Sequence, residues 1–215
     1  MADSDDDVPQ LSAQTLAMLQ EFYTEQEEID KKLEEAQQGN IDNFTPQEDW
    51  QLSQFWYNDS TATRLAQEVI QAAGINGKIA FVSSPTAYKK FREIKREDLS
   101  AKCLEFDNRF KVYGEDFIFY NYEEPLNLRV ELKGQFDIVL ADPPFLSDEC
   151  IVKTAQTIRY LTKNKIIVCT GAVMEEMVGK LLGLKRQKFK PQHANGLQNE
   201  FCCFTNYNSD LLNKD

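Results

Sequence analysis

Hydrophobic positions change their spacing several times along this chain, and each change marks an element boundary. From Ser12, Leu16, Leu19, Phe22 and Tyr23 fall on one face at helical spacing, which predicts a short amphipathic helix. Residues 24–42 carry Glu, Gln and Lys with few apolar anchors and read as a charged helical extension or linker. Thr45-Pro46-Gln47-Glu48 has capping-box spacing with proline at the first helical position, and it leads into an aromatic-dense stretch, Trp50–Tyr57. Asp59 or Ser60 then caps a helix with apolar positions Ala62, Leu65, Ala66, Val69, Ile70 and Ala73, closed by Gly74.

Short continuous apolar runs alternate with helical periods after that point. Strands are predicted at Ile79–Val82, Cys103–Phe106, Phe117–Tyr120, Phe136–Ala141 and Lys165–Thr170. Helices are predicted at Thr86–Arg96, at Asp148–Leu161 with Ser147 as cap, and at Ala172–Leu182, stopped by Gly183. Strands apolar on both faces need cover on both, which implies a mostly parallel sheet between helical layers. Gln187–Lys190 and Glu200–Asn206 follow with no helix between them and so form an antiparallel hairpin around Asn195-Gly196. The expected fold is α/β and Rossmann-like, a seven-stranded mostly parallel sheet with a C-terminal antiparallel hairpin. Residues 1–44 form an acidic N-terminal extension, partly disordered with a helix, and residues 45–215 form the α/β domain.

Charge sharpens this division. Residues 1–49 hold 14 acids and 2 bases, a charge of −12, while the remainder, with 21 acids and 22 bases, is close to neutral at +1. A neutral core lacks the basic footprint of a duplex-binding protein, and stable nucleic-acid binding is not expected. An acidic arm favours a basic protein partner, or serves only as a solvated tail. No apolar run approaches the roughly 20 residues of a membrane span, and Met1–Asp7 is acidic where a secretory signal is basic. A soluble, intracellular monomer is expected. Cys103, Cys150, Cys169, Cys202 and Cys203 form no Cys-x-x-Cys pair and read as buried reduced thiols. No metal site is expected, and the single histidine, His193, reads as a packing or surface residue.

Ligands of doubly wound sheets sit beyond the carboxyl ends of the strands. After the fourth strand comes Asp142-Pro143-Pro144-Phe145. Two prolines fix φ and remove two amide donors, so the strand must end in a stiff loop that presents a carboxylate and an aromatic face. Asp142 and the Pro143 carbonyl can accept hydrogen bonds from an amine and aim its lone pair at a methyl sulfonium. Phe145 can hold a cationic amine by cation–π attraction or stack on a flat base. After the first strand, Ser83-Ser84-Pro85 replaces the glycine-rich turn usual in such sites; Ser84 as N-cap and Pro85 at the first helical position leave amides for a carboxylate. Asp107 follows the second strand, where an acid commonly accepts ribose hydroxyls, and Asn121-Tyr122 follows the third, beside the expected adenine position. Gln54 and Tyr57 are the polar members of the aromatic stretch and are candidates to border the cofactor.

Asp-Pro-Pro-Phe resembles the Asp/Asn-Pro-Pro-Tyr/Phe motif of amino-nitrogen methyltransferases, and the strand plan resembles their class I fold. Longer segments resemble one family within that group. These are Trp50–Tyr57, Tyr113–Tyr120, Phe136–Phe145 and Cys169-Thr170-Gly171-Ala172. The family is the eukaryotic elongation factor 1-alpha lysine methyltransferases of the Asp-Pro-Pro-Phe type, formerly labelled N6-adenine DNA methyltransferases. The resemblance spans roughly residues 45–207. It implies S-adenosylmethionine as cofactor, a lysine ε-amine of translation elongation factor 1-alpha as acceptor, and a cytoplasmic location. Two other readings use the same loop: an N6-adenine methyltransferase that clamps a flipped base, and a non-catalytic cofactor-binding scaffold, which the missing glycine-rich turn favours.

Overall fold

A computed structural model describes residues 46–49, 53–197 and 199–214, with a few positions between Ser12 and Thr24. The chain divides into two compact units, Met1–Phe44 and Thr45–Asp215. In the first, Ser12 starts a helical turn: its Oγ accepts from the Thr15 amide at 3.1 Å, and its carbonyl accepts from the Leu16 amide. Leu19, Phe22 and Tyr23 of the predicted amphipathic face lie outside the described residues, as do Thr45 and Trp50–Leu52.

The second unit is a seven-stranded sheet: β1 (Lys78–Val82), β2 (Ser100–Glu105), β3 (Phe117–Phe119), β4 (Ile138–Ala141), β5 (Lys165–Gly171), β6 (Lys185–Arg186) and β7 (Phe201–Thr205). The order is β3-β2-β1-β4-β5-β7-β6. The first five strands run parallel, and β7 lies antiparallel to both β5 and β6. Among the described residues four α-helices cover the sheet: α1 (Asp59–Ala73), α2 (Pro85–Ile94), α3 (Asp148–Leu161) and α4 (Glu175–Leu182). Alternation along β1 assigns the layers. Phe81 packs against Tyr88 and Phe91 of α2, while Ala80 and Val82 join the opposite cluster with Ile151, Ile158 and Leu161 of α3 and Val178 of α4.

Fold class and sheet plan agree with the expectation, and several boundaries move. The cap of α1 is Asn58, not Asp59 or Ser60; its side chain accepts from the Thr61 amide. Pro46–Asp49 is not helical, because the Glu48 carboxylate is used at long range, by the Trp56 amide at 2.7 Å and the Asn195 side chain at 2.6 Å. Residues Ala172–Met174 form a 3₁₀ turn ahead of α4, and Gly183 ends that helix at φ 69°. β6 lies at Lys185–Arg186, before the predicted Gln187–Lys190, and the loop after it docks on the Trp56–Thr61 segment. There the Ala194 amide donates to the Trp56 carbonyl at 2.8 Å, the Asn58 amide to the Gln192 carbonyl at 3.0 Å, and the Gln192 amide to Thr61 Oγ1 at 3.0 Å. Among the described residues no helix is long and apolar enough to cross a membrane. All five cysteines are free and buried.

Gly77 marks the closest approach of α1 to the start of β1: a Cβ there would stand 2.5 Å from the Ala73 carbonyl oxygen and 2.6 Å from its Cβ. Both contacts involve atoms fixed by the helix, so neither can yield cheaply. Gly77→Ala is expected to cost about 1–3 kcal/mol, read as a lower midpoint in chemical denaturation with an unchanged slope.

Candidate active site

The site begins where β1 and β4 part. Their neighbours β2 and β5 lie on opposite sides, so helices leave the sheet in opposite directions and a crevice opens at the strand ends. A cavity of about 290 Å³ occupies this position. Ser83, Ser84 and Pro85 line it after β1, Glu105 and Phe106 at the end of β2, Tyr120, Asn121 and Tyr122 after β3, and Asp142–Phe145 after β4. Ser53–Trp56 and the pair His193 and Phe201 complete the wall.

β4 ends for a stated reason. The Asp142 amide donates to the Val82 carbonyl at 3.0 Å, the last ladder bond before two residues without an amide hydrogen. The chain then bends through Pro144–Ser147 until Ser147 caps α3 by accepting from the Cys150 amide. Gly171 allows this loop to seat, because a Cβ there would stand 3.0 Å from both Leu146 methyl carbons. Phe145 remains 39% exposed beside Tyr122, with ring centroids 5.5 Å apart. Burial pushes the Asp142 carboxyl up to about 7; Tyr57 opposes that shift and the charge of Glu105 adds to it. Glu105 is likewise raised to about 7, chiefly by burial, although its Oε1 accepts from the Phe106 and Asp107 amides.

Ser83 takes the place of glycine in the turn after β1 and adopts φ 52°, in the left-handed region. Its amide donates to the Leu104 carbonyl at 2.8 Å, which fixes the turn against β2. Ser84 is the N-cap of α2, as expected, but its side chain makes no capping bond; Oγ donates instead to the Leu140 carbonyl at 3.4 Å. The first turn of α2 therefore keeps its amides available at the cavity wall.

Two candidates stand elsewhere than the sequence suggested. Asp107 is not on the wall. It caps the 3₁₀ segment Asn108–Asp116, and Arg109 and Gln54 hold its carboxylate, with Gln54 Nε2 donating at 2.8 Å and Arg109 Nε at 2.8 Å. The acid on the wall after β2 is Glu105. Gln54 lines the cavity and uses its amide to tie Asp107 to Arg109. Tyr57 is not on the wall either. It is 5% exposed and lies behind His193, to which it is joined by an antiparallel bridge and a ring contact of 5.0 Å. His193, read from sequence as packing, does line the cavity, with its ring edge-on to Phe201 at 4.7 Å; burial pulls its pKa down to about 4, so it is neutral at physiological pH. Among the described residues no group of His, Cys, Asp and Glu could hold a metal ion.

Comparison with known proteins decides the family. Residues 48–209 match the family described as "Probable N6-adenine methyltransferase". A chicken protein named EEF1A lysine methyltransferase 1 is 56% identical over 98% of this chain and all of its own length, and the human protein of that name is 51% identical over 96% of each. The chain belongs to this methyltransferase family. A yeast member, protein-lysine N-methyltransferase EFM5, is 36% identical over 92% of this chain and 91% of its own. The fold is shared more widely: a Pyrococcus horikoshii structure described as an RNA methyltransferase superposes with a TM-score of 0.51 at 14% identity, over 81% of this chain and 98% of that one.

The raised Asp142 carboxyl has a cost for the fold of this family member. Its folded pKa of about 7 exceeds the unfolded value near 3.9, so the folded state binds the extra proton and stability falls as pH rises from about 4 through 7. Asp142→Asn removes that penalty. The variant is expected to be more stable than the parent by about 1–3 kcal/mol at pH 8 and little changed at pH 4, measured by thermal unfolding across pH.

Proposed function

We infer that this protein is an S-adenosylmethionine-dependent protein-lysine N-methyltransferase that modifies a lysine of translation elongation factor 1-alpha. The observation that carries the reading is the position of Asp142. It lies midway along the cavity wall, between the β1–β3 side and the side formed by His193 and Phe201.

S-adenosylmethionine supplies an electrophilic methyl group on a sulfonium. The residues present suit such a molecule. Glu105 is the carboxylate for its ribose hydroxyls, in place of Asp107, whose oxygens are already engaged. The first turn of α2, entered through Ser83, Ser84 and Pro85, offers amides to its carboxylate. Phe106, Asn121 and Tyr122 border its base. Gln54 supports this side indirectly by fixing Asp107 and Arg109 beneath it.

On the other side, Asp142 and the Pro143 carbonyl accept hydrogen bonds from the ε-amine and direct its lone pair. A free lysine amine has a pKa near 10.4, and the apolar wall favours its neutral form over ammonium. Pro144 keeps the loop stiff. Phe145, half exposed at the mouth, packs on the lysine stem and on methylated intermediates. Relatives named for EEF1A support the acceptor, and the acidic residues 1–49 suit a basic partner. Action as a monomer, residence in the cytoplasm and the absence of stable nucleic-acid binding belong to this reading.

The test offers labelled S-adenosylmethionine with purified elongation factor 1-alpha in one arm and DNA or RNA in another. Transfer to protein alone is expected; transfer to nucleic acid alone overturns the reading in favour of adenine methylation. Asp142→Asn is expected to lower transfer by about 100-fold or more while binding S-adenosylmethionine within about threefold of the parent. Glu105→Ala divides the roles the other way: calorimetry should show cofactor affinity weakened by about 10- to 100-fold, the worth of hydrogen bonds to a charged group.

A further inference from the structure

Tyr57 has no part in the transfer chemistry set out so far, and its surroundings are anomalous. Its hydroxyl is fully enclosed and makes no hydrogen bond of ordinary geometry among the described residues, yet the Asp142 carboxylate and the Cys169 thiol both lie close enough to act on it. A buried hydroxyl without a partner is a standing cost to the fold, and phenylalanine would avoid it. The ring is also held with unusual care. Backbone bonds on both sides of it, from Ala194 to Trp56 and from Asn58 to Gln192, pin the segment to the loop between β6 and β7. The His193 ring lies against it and separates it from the cavity.

We propose that Tyr57 is a positioning residue for Asp142: its phenol donates a hydrogen bond to the carboxylate when that carboxylate turns to receive the amine. This rests on the assignment of Asp142 as the amine's acceptor. The bond holds one carboxylate oxygen, leaves the other for the substrate nitrogen and favours the ionised form. Tyr57 and Glu105 from β2 are the ionisable groups that act on Asp142, and the Asp142 charge in turn raises the thiols of Cys169 on β5 and Cys150 on α3. Burial and the Asp142 charge keep the phenol protonated; the hydrogen bond with Cys203, together with burial, raises the Cys169 thiol, and burial raises that of Cys150. Glu105 opposes ionisation, so Tyr57 is the one member of this set that promotes it. His193 and Phe201 act one step further out, as the rings that hold Tyr57 in register.

Tyr57→Phe tests this with two readouts that a packing role would not produce. The first is the titration of the Asp142 carboxyl, followed by carbon NMR in the parent and the variant. An upward move of about one pH unit is expected, and an unchanged titration overturns the proposal. The second is stability at pH 5, where Asp142 is protonated in both proteins. The variant should melt at the same temperature as the parent or higher, since it loses an unpaired hydroxyl; a clear loss of stability there indicates a structural bond and also overturns the proposal. With elongation factor 1-alpha as acceptor, kcat should fall by about 10-fold or more with little change in KM, and the acid limb of the pH profile should move upward. If Asp142→Asn keeps full activity, the functional reading fails at Asp142, while the titration still decides whether Tyr57 controls that carboxylate.

Discussion

Strand β4 cannot run past Ala141. The amide of Asp142 makes the final bond of the ladder with Val82, and Pro143 and Pro144 have no hydrogen to give. Everything at the crevice follows from that stop. A chain obliged to leave the sheet at its switch point places Asp142 under the cavity and Phe145 at its mouth. The same stop brings Leu146 close over Gly171 on β5, where a Cβ would stand 3.0 Å from both leucine methyl carbons, and Ser147 restarts the backbone as α3. Two of the segments that carry the resemblance, Phe136–Phe145 and Cys169–Ala172, therefore answer to one local constraint.

The crevice has two chemically different halves. Toward β1, β2 and β3 lie a carboxylate, the amide-bearing start of α2 and the Phe106 ring, a set suited to a charged nucleoside. Toward β5 and β7 lie His193 and Phe201, with Tyr57 behind them and no strong charge, because burial keeps the imidazole neutral. On the lysine-acceptor reading proposed above, an amine entering that half loses hydration without meeting a competing anion until it reaches Asp142.

Much of this is legible in the chain itself. Asp142–Phe145 declares itself because its four residues are consecutive and its prolines leave one backbone solution. The parallel strands declare themselves because burial on both faces produces unbroken apolar runs. What the pattern hides depends on register or on distant partners. Glu105 and Asp107 are both acids at the end of one strand; which one meets the cavity depends on where β2 stops, and Arg109 and Gln54 take the other. Glu48 looks like the acid of a capping box but serves Trp56 and Asn195, and the latter is 147 residues away. His193 is a lone histidine in a loop, and its place follows only from the docking of that loop on the Tyr57 segment.

The position of β7 has a consequence for how the protein is made. It lies between β5 and β6, yet both of those leave the ribosome first. Until residues 201–205 emerge, β5 carries an open edge of apolar backbone and β6 has nothing to pair with. The strand that seals the sheet also carries Phe201 and pulls the His193 loop into place. A nascent chain thus completes the β1–β3 side of the crevice well before the side formed by His193 and Phe201.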